Sequence, residues 1–218
     1  MWKNGSKFLH FFTLHNVEHS VELIRQSFTI SHTFSQYQLS STDYFLLYLS
    51  CYFHDISLIT YPDINSFNPK DKITFNNSDI RKKVIEAYIK VDAYFEDKIR
   101  SSHSKDSAKL LRNDNVFSFL DDSTRDLVAN ISESHGQDAE KVYVKQDNSA
   151  NSIEKTMTRT HITHLKSIIR LADSLDMSQD RVSPFYLEKA FSLMPEVSGL
   201  CWVGHLDIHS FPTGRSSD

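Results

Sequence analysis

The sequence predicts an all-α domain, and three observations carry that expectation. Its 218 residues include only five glycines and five prolines, too few for the turns of a loop-rich β fold. Apolar residues recur at three- and four-residue spacing in several segments. Capping residue types stand ahead of the most apolar of these segments. The composition is that of a globular chain, 39% hydrophobic and 24% charged, and its length suits one large domain or a domain with a small appendage.

The first helix is predicted over 16–28, where Val17, Val21, Ile24 and Phe28 share a face. Ser41, Thr42 and Asp43 can cap a second helix over 44–56, apolar nearly all round and therefore central. A long loop over 60–78 carries Pro62 and Pro69. A helix to about Arg100 follows, with Ile80, Val84, Tyr88, Val91, Phe95 and Ile99 inward, and then a separate short helix over 104–112. Ser123-x-x-Asp126 resembles a capping box that opens a helix ending near His135. Val142-Tyr143-Val144 reads as a short strand, 160–177 as a strongly amphipathic helix, and 184–193 as a last helix with Pro184 in its first turn. Residues 199–208 alternate like a strand, so a small β hairpin near the C-terminus is expected. The predicted limits are a helical domain over 1–198 and a short strand and tail over 199–218. The absence of a helix before Phe8 and the ending Gly214-Arg215-Ser216-Ser217-Asp218 are compatible with a shortened chain.

Charge and cysteine usage exclude several classes. A net charge of −4 gives no global cationic field, so polymeric nucleic acid is the less favoured partner. Arg81-Lys82-Lys83 is a short run of the kind found on solvated helix faces. Cys51 and Cys201 show neither zinc-ligand nor redox spacing. The N-terminus lacks a signal-peptide pattern. The most apolar run, 44–53, is about half the length of a membrane helix and ends in His54-Asp55. A cytoplasmic protein without a membrane span is expected.

The chemistry lies in the histidines and carboxylates. His15 and His19 share one helical face. His54-Asp55 closes the most apolar helix, and Asp173 sits inside an otherwise apolar one. Singly, each has a plain reading: His54 as a helix terminus residue, Asp55 paired with a base. Together, three apolar helices each present an imidazole or carboxylate where a core face is expected, and buried charges need partners. Two imidazoles with two carboxylates suit Mn, Fe, Zn, Ni or Co better than Ca or Mg.

The segments Leu14-His15-Asn16-Val17-Glu18-His19-Ser20, Tyr52-Phe53-His54-Asp55-Ile56 and Leu171-Ala172-Asp173-Ser174-Leu175-Asp176 resemble the ordered motifs of the HD superfamily of metal-dependent phosphohydrolases. The whole pattern also resembles the HD domains of bacterial conflict systems, the HD-CE-like group, sometimes fused to an ATPase domain. The resemblance implies an HD-type helical bundle in which His19, His54, Asp55 and Asp173 bind a metal. Ser57 stands where many members have glycine. Extra histidines in two-metal members match His103 and His135, with Asp55 bridging; both also read as helix-terminal residues with only a dipole role. The implied cofactor is thus one or two divalent ions, Mn, Fe, Ni, Co, Zn or Mg.

The resemblance further implies hydrolysis of a phosphoester or phosphoanhydride, with a small phosphorylated nucleotide as substrate. Asp55 is the expected bridging ligand. His15 is a candidate for a phosphate contact, an acid, a group supporting the ligands from behind or a core residue. Lys166 and Arg170 are candidates to neutralise substrate phosphate, or ordinary solvated helix residues. Asp176 either orients His19 or His54 or binds an arginine. His161 and His164 read as surface or packing residues. The alternative from another class is a non-catalytic nucleotide-sensing or interaction module of a larger defence or signalling protein, with a fused or partner domain. Intact residues at all four core positions favour activity.

Overall fold

The computed structural model describes residues 11, 13–33, 38–59, 80–143, 161–177 and 181–207, and gives only the backbone at 80–95, 97, 141 and 143. The described residues form eight α-helices and no strand: α1 (Val17–Thr33), α2 (Ser41–Phe53), α3 (Ile80–Asn113), α4 (Asp122–Glu133), α5 (Ala139–Tyr143), α6 (Ile162–Leu175), α7 (Pro184–Ala190) and α8 (Glu196–Asp207). One-turn 3-10 segments follow α2 (Ile56–Ile59), α3 (Asn115–Phe117), α4 (Ser134–Gly136) and α7 (Phe191–Leu193). The loop expected over 60–78, the tail from Phe211, and the inward faces expected for Ile80, Val84, Tyr88, Val91 and Phe95 lie outside the described residues or side chains. Among the described residues no helix is long and apolar enough to cross a membrane.

The core forms where α1, α2, α4 and α6 pack together with the C-terminal half of α3. Leu23, Leu46, Leu47, Leu111, Ile131, Leu165 and Ile169 are almost fully buried there. Each such side chain contributes roughly 1.5–3 kcal/mol relative to exposure. The start of α2 is set by a capping box. Asp43 N–H donates to Ser40 Oγ at 3.2 Å, and Ser40 N–H donates to Asp43 Oδ2 at 2.8 Å. Asp43 also accepts from His161 N–H at 3.1 Å, so one buried carboxylate fastens the beginnings of α2 and α6 together.

Four sequence expectations are corrected. The helix expected to stop near Arg100 continues to Asn113 as one element. Ser101 and Ser102 do not break it, because their hydroxyls donate to Lys98 O, at 2.8 and 3.1 Å. The cap of α4 is Asp121, which accepts from Thr124 N–H at 2.9 Å, rather than Ser123. The strand expected at Val142-Tyr143-Val144 is in part the end of α5. The strand expected over 199–208 is α8, which runs across the limit expected at 198/199. Ser198, Gly199, Trp202 and His205 are its buried positions, a helical rather than a strand period. Gly199 lets α8 approach the Phe191 ring, and Trp202 Nε1–H donates to Phe11 O at 2.9 Å.

Candidate metal centre

Five elements deliver the site. α1 carries His19 on its buried face, with His15 just ahead of the helix. His54 is the C-cap of α2, and Asp55 leads into the 3-10 turn behind it. His103 is in the middle of α3, His135 in the turn after α4, and Asp173 in the last turn of α6. Two of these placements differ from expectation, since His103 ends no helix and His135 sits in a 3-10 turn. His54 is 0% exposed, and Asp55 and His19 are 2% exposed.

The other six side chains gather around the Asp55 carboxylate. Oδ2 is 3.0 Å from His54 Nε2 and 3.7 Å from both His19 Nε2 and His15 Nε2. Oδ1 is 3.4 Å from His135 Nε2 and 3.5 Å from His103 Nε2. Asp173 Oδ1 completes the first side, 3.6 Å from His19 Nε2 and 4.0 Å from His54 Nε2. Among the described residues, three groups therefore have ligand atoms mutually within 4.8 Å: His15–His19–Asp55, His19–His54–Asp173 and Asp55–His103–His135.

The protons decide what these groups can hold. His54 Nδ1 faces Cys51 O, His103 Nδ1 faces Arg100 O, His135 Nδ1 faces Ser132 O, and His19 Nδ1 is 2.5 Å from Asp176 Oδ2. Carbonyls and carboxylates only accept, so each Nδ1 carries a proton, and an imidazole with no second proton presents its Nε2 lone pair inward. His19 and His54 then face each other Nε2 to Nε2 at 3.1 Å, and His103 and His135 at 2.9 Å. Lone pairs at those distances repel unless a cation or a proton lies between them. Asp55 Oδ1, buried, accepts no hydrogen bond from the described residues. Facing lone pairs and an unsatisfied buried carboxylate oxygen fit divalent ions bound by imidazole and carboxylate.

Burial disfavours the His54 imidazolium, but Asp55 and Asp173 outweigh it and raise its pKa to about 9. Asp55 is held well below the carboxylate range: burial would raise it, and the neighbouring histidines prevail. His15, His19 and His103 are all lowered, first by burial; Arg181 adds to this at His15 and His19.

The His15–His19–Asp55 group is the least suited to an ion. Arg181 Nη2 is 2.9 Å from His15 Nε2 and can only donate, so that lone pair is occupied. His15 Nδ1 correspondingly faces Thr13 O at 2.6 Å. Arg181 also donates to Leu14 O and to Asp176, and Asp176 fills both roles expected of it, orienting His19 and binding an arginine. Sequence reasoning missed Arg181, because its partners lie up to 167 positions away. Lys166 and Arg170 are not brought to the Asp55 carboxylate. Lys166 is buried, with Glu133 and Arg112 as its charged neighbours. Arg170 donates to Ser134 O and Gln137 O. His161 binds Asp43. Ser57 replaces a glycine turn with hydrogen bonds: its Oγ donates to His103 O at 2.8 Å and its N–H to Ser107 Oγ at 3.1 Å, tying the His54-Asp55 corner to α3.

A family model described as HD-CE matches residues 8–216. No curated protein and no solved structure matches the chain.

Proposed function

The chain belongs to the HD-CE family, and from that membership we propose that it is a metal-dependent phosphohydrolase cleaving a phosphoester or phosphoanhydride in a small phosphorylated nucleotide or nucleotide second messenger. One observation carries the proposal: the buried Asp55 carboxylate is divided between two sets of imidazoles whose lone pairs face one another. His19, His54, Asp173 and Asp55 Oδ2 would hold one divalent ion; His103, His135 and Asp55 Oδ1 would hold a second. When bound, such ions supply Lewis acidity toward a phosphoryl oxygen and lower the pKa of water.

The protein's own groups do the positioning. The carbonyls of Cys51, Arg100 and Ser132 and the Asp176 carboxylate fix every Nδ1 proton, so no tautomer has to change when substrate arrives. Burial of His54 and Asp55 keeps bulk water from the centre. The side chains of Asp173 and His103, 28% and 18% exposed, mark the side from which substrate enters. Burial and Arg181 lower the His15 pKa, and its Nε2 takes a hydrogen bond from Arg181, so it serves as the acceptor that seats Arg181 rather than as a proton donor. A net charge of −4 favours a small phosphorylated substrate over a nucleic-acid polymer.

The test is a screen of nucleoside phosphates, cyclic nucleotides and alarmones with protein loaded with Mn, Co, Ni or Mg. Metal-dependent phosphate release, lost on chelation, supports the reading. Ion-loaded protein that binds a nucleotide and hydrolyses none overturns it in favour of a sensing module.

A further inference from the structure

Arg170 is one turn ahead of Asp173 on α6, yet its guanidinium turns away from the ion-binding atoms. Nη1 donates to the carbonyl of Ser134 and, at 2.6 Å, to that of Gln137. These carbonyls bracket His135-Gly136. The turn Ser134–Gly136 is a single one that continues from α4, with Ser134 N–H donating to Ile131 O and no cap bond from the Glu133 side chain. Its own bond, from Gln137 N–H to Ser134 O at 3.2 Å, is a weak restraint. On the opposite side Gly136 is flush against α3: an added Cβ would overlap Ser104 Oγ and stand 2.7 Å from Ser104 Cβ. Ser104 is next to His103, whose Nε2 meets that of His135 at 2.9 Å. The turn is wedged between α3 and α6, and Arg170 is its fastening to α6.

We propose that Arg170 is a positioning residue for the second ion. It fixes the turn that carries His135, and so sets the spacing of the Asp55–His103–His135 triad, instead of meeting a substrate phosphate. The inference rests on the two-ion reading above. A guanidinium suits the task because its donors are rigidly disposed and reach two carbonyls at once; a lysine ammonium on its flexible stem holds the same pair less firmly. The same helix supplies Asp173 to the first triad, so α6 orders both halves of the centre.

The experiment is isothermal titration of the full chain with Mn2+, with folding followed by circular dichroism and inorganic phosphate binding to the ion-loaded protein as a separate readout. Wild-type protein is expected to take two ions. Arg170→Ala keeps the first at wild-type affinity and loses about 10–100-fold in affinity for the second, the usual effect of removing a supporting group. Arg170→Lys falls between the two. Gly136→Ala disturbs the turn from the α3 side and is expected to give the same selective loss, which reports on the turn; if Arg170→Ala does not fold, Arg170→Lys carries the test, and wild-type affinity for both ions in that variant overturns the inference. Unchanged affinities for both ions in Arg170→Ala, equal losses at both, or intact ion binding with weakened phosphate binding each overturn the inference alone. Wild-type protein that takes fewer than two ions overturns the two-ion reading and the inference with it.

Discussion

His19 and His54 point their Nε2 atoms at each other across 3.1 Å, while each keeps its Nδ1 proton on a fixed acceptor, Asp176 for one and Cys51 O for the other. Two neutral imidazoles cannot satisfy each other in that arrangement. A proton or a metal ion must sit between them, and the two compete for the same place.

That competition gives a pH dependence. Without an ion the proton goes to His54, whose pKa is raised to about 9. At pH 7 ion uptake therefore displaces about one proton, and affinity weakens about tenfold per unit as pH falls below about 9. Calorimetry in buffers of different ionisation enthalpy reads the proton directly. In metal-stripped protein the sign is opposite for stability. The folded pKa lies above the ordinary 6.5, so the His54 contribution is complete below about 6.5 and is lost as pH rises through about 9. Stripped protein is expected to melt earlier at pH 9 than at pH 6.5, and added Mn2+ to restore the melting temperature. Ion affinity that does not vary over this range would show that His54 is not a ligand.

Asp55→Asn keeps the volume of the side chain and removes the charge that faces both ion-binding groups. Ion content by elemental analysis is expected to fall at both positions, with hydrolysis abolished and helical content retained. A variant that keeps its ions and its turnover would remove Asp55 from the mechanism.

Asp176→Asn tests the support behind the first triad. Its carboxylate accepts from His19 at 2.5 Å and is held in turn by Arg181. Removing its charge is expected to weaken the first ion about 10–100-fold and to spare the second. Equal weakening of both ions would assign Asp176 a general structural role.

The centre is legible in the sequence where a polar group interrupts an apolar pattern. His54-Asp55 at the end of α2 and Asp173 within α6 stand out because together they put imidazole and carboxylate groups where apolar core faces are expected. His103 and His135 are legible as candidates, but their helices are not: serine hydroxyls that bond back to Lys98 O let α3 run on through a polar stretch that reads as a break. Arg181 leaves no local signal, since its carbonyl and imidazole partners belong to the start of α1. Arg170 attracts a phosphate reading by its charge, whereas its partners are carbonyls, which no residue letter reveals. In α8 the alternating small and large residues support either period. Packing of Gly199 on Phe191 and of Gly204 on Met177 decides for helix.

Asp43 lies away from the ion-binding atoms and is 0% exposed, which makes it a test of the scaffold alone. Its carboxylate takes hydrogen bonds from the Ser40 N–H and hydroxyl and from His161, and so joins the starts of α2 and α6. Asp43→Ala removes the Asp43 half of the capping box and the tie to His161, and is expected to cost about 1–3 kcal/mol at pH 7. Burial alone would raise the Asp43 pKa, but the donated hydrogen bonds prevail and lower it from 3.8. A depressed folded value means that the contribution is present above the unfolded pKa and is lost as pH falls through the folded one. Urea melts should therefore show a steady gap between wild type and Asp43→Ala from pH 7 to about pH 5, narrowing once the pH drops below the ordinary carboxylate value. A gap that stays constant into strong acid would mean that the charge on Asp43 contributes nothing, leaving only the shape of its side chain to hold the two helix starts together.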